Sequence, residues 1–273
     1  TDGVNTTLLY RKTEEEDFKP VITTNFRETL SPQFFTFDNE YIYAASNLGR
    51  DKLALVIYDL EKNAEIEVIY EHSEVDISNA MMSRKRKVLT GVSYFTDKRG
   101  FHFFDETREN LQKELEAKLP GYEVSVGGMN RDEDKVLVRT YSDKSRGAYY
   151  YYDMTTKEFL KLADISPWLD ESVMADMTPI VYQSRDGLTI HGYLTVPKGV
   201  EPKNLPVVVN PHGGPWARDY WGFNPEIQFL ANRGYAVLQM NFRGSTGYGK
   251  AFWEASFKQW GRAMQDDVTD GVN

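Results

Sequence analysis

Two short turns hold the residues whose types and spacing suit acyl-transfer chemistry. The first is Asn210-Pro211-His212-Gly213-Gly214-Pro215-Trp216. Backbone amides beside paired glycines approach a developing oxyanion with no side chain in the way, which is what acyl transfer requires. The same pattern also fits a glycine-rich turn of purely structural use. The second turn is Asn241-Phe242-Arg243-Gly244-Ser245-Thr246-Gly247-Tyr248-Gly249. Its Ser245 looks like a nucleophile, but a strained nucleophile elbow needs Gly-x-Ser-x-Gly, and Arg243 stands where the first glycine belongs. No Gly-x-Ser-x-Gly occurs anywhere in the sequence. His212 belongs to the glycine turn itself, so it reads as a structural or supporting residue and not as a catalytic base.

Other chemistries are excluded or weakened by composition. The sequence has no cysteine, which removes disulfides, thiolate metal sites and a cysteine nucleophile. His72, His102, His191 and His212 are its only histidines, and none pairs with another in a His-Glu-x-x-His pattern, so no metal site is expected. No cofactor is implied. With 32 basic against 41 acidic side chains the formal charge is −9, and no Lys/Arg-rich run offers a footprint for phosphates, so nucleic acid is not an expected partner. No stretch approaches the roughly 20 apolar residues of a membrane span, and residues 1–20 lack the features of a signal peptide. The sequence is therefore expected to be soluble and without a membrane partner, with its compartment left open.

The elements that must position the two turns can be read from patterning. Ile180–Gln183 and Leu188–Val196 flank Arg185-Asp186-Gly187 and form a hairpin with an Asp-Gly turn. Val207-Val208-Val209-Asn210 is a β-branched run typical of a strand buried on both faces. Asn224-Pro225-Glu226 supplies an N-cap, a first-turn proline and a first-turn acid, and Gly234 closes that helix. Tyr235–Asn241 is a second buried strand, and Gly249–Val272 reads as a second helix. A hairpin followed by strand, helix, strand and helix announces a doubly wound sheet.

Upstream, the sequence repeats. Tyr41-Ile42-Tyr43, Val88-Leu89-Thr90 and Val136-Leu137-Val138 each open a β-prone run, and each is followed by a run ending in aspartate at Asp59, Asp105 or Asp153. The interval from Ile42 to Asp59 recurs unchanged from Val88 to Asp105 and from Val136 to Asp153. With further strands at Glu65–Tyr70 and Glu158–Leu162, the period, in the high forties of residues, reads as a β-propeller blade. Leu8–Arg11 and Phe18–Ile22 fit the end of an earlier blade. Glu106–Leu119 departs from the pattern and reads as an amphipathic helix ending at Pro120-Gly121. In Tyr149–Tyr152, strand alternation puts half of the tyrosines in a core between blades. The expected organisation is about three and a half blades over residues 1–165, a connector over 166–179, and the N-terminal part of an α/β-hydrolase domain over 180–273.

A His-Gly-Gly-Pro-Trp turn with an Arg-Gly-Ser-Thr-Gly-Tyr-Gly turn one helix later resembles the prolyl oligopeptidase family, most closely its acylaminoacyl-peptidase and dipeptidyl-peptidase-like branches. The resemblance is closest over residues 180–273, and blades upstream of such a domain are the family's own architecture. It implies a serine peptidase acting on short peptides through an acyl-enzyme, with the serine, acid and histidine of the triad beyond Asn273 and the isolated chain inactive. It also implies an oxyanion hole built from the backbone amides of Gly214 and Gly213. His212, Trp216, Tyr220 and Trp221 become candidates for cleft lining, with packing against the propeller an equal reading for the aromatic cluster. His212 departs from the branches that place a tyrosine there and favours the acylaminoacyl-like arrangement. Arg243 and Asp266-Asp267 match signature positions expected to hold the turn and helix in place. A homo-oligomer of the parent stays open. Two other functions compete: a non-catalytic propeller interaction module, and an esterase using the same glycine turn.

Overall fold

The alternating runs of residues 5–164 pair with their sequence neighbours. In a computed structural model that describes residues 1–272, they form antiparallel sheets joined by tight turns. β1 (Asn5–Tyr10) pairs with β2 (Lys19–Asn25). β3 (Leu30–Phe35), β4 (Ile42–Ser46), β5 (Ala54–Asp59) and β6 (Ala64–Tyr70) make a four-stranded meander, and β7 (Ile77–Ser83), β8 (Val88–Phe95) and β9 (Arg99–Phe103) a three-stranded one. The expected helix follows as α1 (Glu106–Lys118), in place of a fourth strand. β10 (Glu123–Met129), β11 (Lys135–Tyr141), β12 (Ala148–Asp153) and β13 (Phe159–Asp164) complete a second four-stranded meander. Ile42, Val88 and Val136 all fall on the second strand of their sheets, as the repeat requires. The repeat drawn from sequence omits the first strand of each meander, because β3, β7 and β10 share no common residue pattern.

The described residues divide into two compact units, one of Thr1–Asp105 with Thr246–Glu254, the other of Glu106–Ser245 with the segment from Ala255. In the first unit the β3–β6 sheet is buried on both faces. Ala44, Ala54 and Val56 pack with Leu30, Ile42 and Tyr58 and with Leu8 and Ile22 of the β1–β2 sheet. Ala45 and Leu55, pointing the other way, pack with Ile77 and Val92 of the next sheet. Such double-sided stacking is what makes a meander a propeller blade, since a blade cannot bury its faces alone. Full burial of Leu55 and Val56 contributes about 1.5–3 kcal/mol each. In the second unit Leu111 and Leu115 of α1 pack on Val124, Val136, Val138 and Tyr152, with Tyr150 on the same side. Tyr152 is 0% exposed and Tyr149 37%, so the tyrosine run alternates as a strand should.

The rest of the second unit is a mixed sheet. β14 (Met177–Gln183) and β15 (Thr189–Thr195) form the hairpin, turning through Ser184–Gly187. β16 (Val207–Val209) leads through α2 (Pro225–Ala231) to β17 (Ala236–Asn241), which lies parallel to β16 and antiparallel to β15. Asn224 caps α2, its side chain accepting from the Glu226 and Ile227 amides at 2.9 and 3.3 Å. Gln228 joins this part to the last meander, its Nε2 donating to the carbonyls of Asp143 and Ala175 at 2.9 and 2.8 Å. Every residue of β17 is buried. β16 is not the doubly buried strand expected from its valines: Val207 is 49% exposed, because β16 takes an outer place in the sheet and bonds through one edge only among the described strands. The single helix expected over 249–272 is instead α3 (Lys250–Glu254) and α4 (Ala263–Asp270), separated by turns in which Lys258 and Gly261 take positive φ of 60° and 66°.

The recurring aspartates have a common task. Asp59 accepts from the Glu61 and Lys62 amides at 2.9 and 2.8 Å, and Asp153 from those of Thr155 and Thr156 at 2.9 and 3.0 Å, each closing the turn after its strand. Asp105, which precedes a helix, forks onto Arg86 at 2.6 and 2.7 Å. The amide bond from Thr156 is the chief reason that the Asp153 carboxyl is held down at about 2, against the opposing effect of burial. A carboxyl with a lowered folded value stabilises above its ordinary value and loses that contribution as it is protonated. Asp153→Asn should therefore lower the melting temperature at pH 7, and the gap from the wild type should close as the pH falls from 3.8 to about 2. A gap independent of pH over that window, read by thermal unfolding, would contradict this role.

Candidate active site

The glycine turn starts where β16 ends. The Asn210 amide still donates to the Leu238 carbonyl of β17 at 2.8 Å, and the chain then leaves the sheet at the carboxyl end of the parallel pair. Ligands of open α/β sheets bind outside those ends. Gly213 and Gly214 are both exposed. Gly214 has φ of +128°, and a Cβ there would sit 2.7 Å from the Trp216 amide nitrogen, so the position admits only glycine. The Gly214-Pro215 peptide is cis.

His212 is fixed in every direction. Its ring stacks on Phe242 with centroids 4.5 Å apart and planes 15° from parallel. Nδ1 lies 2.8 Å from the Gly213 carbonyl oxygen, and Nε2 lies 2.8 Å from Ser245 Oγ. Ser245 is fully buried, and its hydroxyl also lies 2.7 Å from the Phe242 carbonyl. Nearby, the Asp219 amide donates to Asn241 Oδ1 at 2.7 Å, while Asp219 Oδ2 is buried without a hydrogen-bond partner among the described residues. Burial pushes the Asp219 carboxyl above its ordinary value, against the opposing pull of the His212 ring and the Gln239 side chain.

The expected aromatic residues separate. Trp216 is 55% exposed beside Phe257, and Tyr220 is 50% exposed with the Arg218 guanidinium 4.9 Å from its ring centre. Trp221 is engaged in the framework instead: its Nε1 donates to the Met177 carbonyl at 2.7 Å and its ring lies beside Tyr141.

The second turn is held by a buried ion pair. Arg243 grips Asp267 through Nε and Nη2 at 2.8 and 2.7 Å, its own amide donates to the same carboxylate at 2.9 Å, and Nη1 reaches Asp186 at 2.8 Å. Asp267 is fully buried, and the two carboxylates, Asp267 first, hold the guanidinium firmly charged. Gly244 then turns with φ of +96°, where a Cβ would lie 2.5 Å from that of Ser256. From Thr246 the loop belongs to the first unit. There the Gly247 carbonyl accepts from the Asp76 amide at 2.9 Å, Lys52 Nζ donates to the Tyr248 carbonyl at 2.7 Å, and Asp51 accepts from the Ala251 amide at 2.6 Å.

Sequence reasoning singled out His212, Gly213, Gly214, Arg243 and Asp267. It offered no signal for the Ser245 contact to His212, for the buried Oδ2 of Asp219, or for Asp51, Lys52 and Asp76, since all of these depend on partners distant in the chain. Removing one member of a buried ion pair strands the other charge and costs about 3–5 kcal/mol. Asp267→Ala should destabilise the protein by that amount in denaturant titration, and Arg243→Met paired with Asp267→Leu by much less. Equal losses for the single and double changes would contradict the pairing.

Known proteins resemble this chain in sequence and in fold. Residues 221–273 match the model of the prolyl oligopeptidase family, Peptidase S9. Over 96% of its length the chain is 33% identical to dipeptidyl aminopeptidase BIII of Pseudoxanthomonas mexicana, and over 96% it is 30% identical to dipeptidyl peptidase family member 6 of Caenorhabditis elegans. It spans 38% of the length of each of these relatives. In fold it is similar to a solved prolyl endopeptidase, with a TM-score of 0.73 and 17% identity over 96% of this chain and 38% of the other. Blades of a β-propeller followed by the first part of an α/β-hydrolase fold, with 33% identity to a dipeptidyl aminopeptidase along 96% of the sequence, make this chain a member of the prolyl oligopeptidase family.

Proposed function

We propose that the protein containing this chain is a serine-type peptidase that cleaves short peptides through an acyl-enzyme, and that residues 1–273 supply its oxyanion donors and part of its propeller. The observation that carries this reading is the exposed glycine turn at the carboxyl end of β16, in which the Gly214 N–H has no acceptor among the described residues. The relatives' names favour release of dipeptides from the substrate's amino end over removal of acylated residues.

In this reading the nucleophilic serine lies outside residues 1–273, since no Gly-x-Ser-x-Gly occurs within them, and the acid and histidine follow it in the chain order of α/β-hydrolases. The serine Oγ attacks the scissile carbonyl carbon while the histidine takes its proton, and the carbonyl π electrons move onto oxygen. That oxygen accepts from the Gly214 N–H, with the Gly213 N–H the second candidate in this turn. Collapse of the adduct expels the amine, which takes the proton from the histidine, and water then releases the acyl group by the same two steps. In this reading Trp216 and Tyr220, half exposed and within ten residues of the glycine turn in sequence, meet substrate side chains. Ser245 takes no part as nucleophile, because it is buried and its hydroxyl is engaged.

The full-length protein should hydrolyse dipeptidyl p-nitroanilides and be labelled by a fluorophosphonate, whereas residues 1–273 alone should do neither. Labelling at Ser245, or full-length protein that labels but cleaves no peptide substrate, would overturn the assignment. A second measurement addresses the donor itself. Replacing the amide between Gly213 and Gly214 with an ester deletes the Gly214 N–H without adding a side chain. Loss of one oxyanion donor lowers kcat by about 10²–10³-fold. A full-length ester variant with unchanged kcat would remove Gly214 from the mechanism.

A further inference from the structure

We infer that Ser245, the one residue of the second turn that resembles a nucleophile, is a positioning residue that acts through His212 on the direction of the Gly214 N–H. The inference rests on the oxyanion reading of Gly214 and extends it to what aims that donor.

Peptide planarity couples the two glycines of the turn. The carbonyl of Gly213 and the N–H of Gly214 belong to one rigid trans unit, in which they point in opposite directions. Whatever fixes one fixes the other. The Gly213 oxygen lies 2.8 Å from His212 Nδ1, and a carbonyl can only accept, so Nδ1 donates and the oxygen faces the imidazole. The Gly214 N–H accordingly faces away from the ring, without an acceptor among the described residues. Two consecutive glycines give this unit little steric reason to keep that orientation, because glycine enters both halves of the φ range with similar ease. The ring must supply the preference.

The ring can do so only if it is itself immobile. Phe242, 7% exposed, fixes the plane of the imidazole by stacking. Rotation within that plane is stopped at the far nitrogen, where Nε2 meets Ser245 Oγ at 2.8 Å. Ser245 is in turn immobile: it is fully buried, its hydroxyl lies 2.7 Å from the Phe242 carbonyl, and its amide donates to the same carbonyl at 3.0 Å. The adjoining Arg243 is clamped by Asp267. A continuous set of contacts thus runs from the buried ion pair through Ser245 and His212 to the Gly213 oxygen.

His212 offers a test that separates its two contacts. Asparagine places its amide nitrogen near the position of Nδ1, and glutamine places its own near Nε2. His212→Asn keeps a donor for the Gly213 oxygen and loses Ser245, whereas His212→Gln keeps Ser245 and loses the Gly213 oxygen. In full-length protein, Ser245→Ala and His212→Asn should each lower kcat by about 5- to 10-fold, the scale of one lost hydrogen bond. His212→Gln should lower it further, toward the roughly 10²–10³-fold of a missing oxyanion donor. KM should stay within about twofold in all three, since the contacts matter at the developing charge and not to substrate binding. Wild-type kcat in both Ser245→Ala and His212→Gln, or losses that appear in KM, would overturn the inference. If the Gly214 ester lowers kcat while these variants do not, the positioning role alone fails. If the ester leaves kcat unchanged, the oxyanion reading itself fails. Should a variant not fold, wild-type protein labelled at histidine nitrogen and glycine carbonyl carbon decides the matter by NMR. A coupling across the hydrogen bond from His212 Nδ1 to the Gly213 carbonyl is expected, and its absence contradicts the proposal.

Discussion

The carboxylate of Asp267 is the contact on which the α/β part of this protein turns. Fully buried, it receives three donors from Arg243, and through that guanidinium it also fixes Asp186 in the hairpin turn between β14 and β15. One ion pair thereby joins α4, the loop after β17 and the turn of the hairpin. A charge so deeply placed is tolerated only because the pairing is bidentate and the remaining oxygen valence is used by the Arg243 amide. The consequence extends past the pair. Phe242 and Ser245, on either side of Arg243 and Gly244, supply the stacking face and the hydroxyl that hold His212, and His212 holds the glycine turn. The catalytic proposal for Gly214 depends on this ordered sequence of supports.

A different constraint governs the blades. The β3–β6 meander is buried on both faces, so the small residues Ala44, Ala45 and Ala54 and the full-sized Leu55 and Val56 sit where neighbouring sheets approach. Asp59 and Asp153, which end the third strands of their meanders, close the turns that follow, and Asp105 forks onto Arg86 ahead of α1. The residues Asp51, Lys52 and Asp76 add a polar seat in the first unit for the segment from Thr246 to Glu254. Burial raises the Asp76 carboxyl above its ordinary value, although the Leu53 and Gly249 amides donate to it.

Local rules made much of this legible from the amino-acid order. Asn224-Pro225 marked the start of α2, Asp186-Gly187 the hairpin turn, and Glu106–Leu119 the helix that interrupts the blades, because each of these signals acts within a few residues of itself. The period of the blades was readable from strands two and three, where the aspartates recur, but not from strand one, whose sequence is free to vary as long as it pairs. What failed depended on partners far along the chain. Three valines look the same in a central strand and an outer one, so the exposure of Val207 was hidden. The run from Gly249 to Val272 has helical composition, yet its first half is tied to Asp51 and Asp76 and its second to Arg243, and positive φ at Lys258 and Gly261 separates the two. At the site, the glycines announced themselves through their chemistry. Ser245 did not, because a serine after an Arg-Gly pair gives no sign that its hydroxyl will meet a histidine 33 residues earlier.

The central claim is that the Gly214 N–H is aimed at the oxygen of the reacting carbonyl. Its most direct measurement is a crystal structure of the full-length protein bearing a covalent peptidyl phosphonate. The account predicts an adduct oxygen about 2.7–3.1 Å from the Gly214 nitrogen, with the Gly213 carbonyl still bonded to His212. An adduct whose oxygen meets other donors while the Gly214 N–H faces solvent would contradict it.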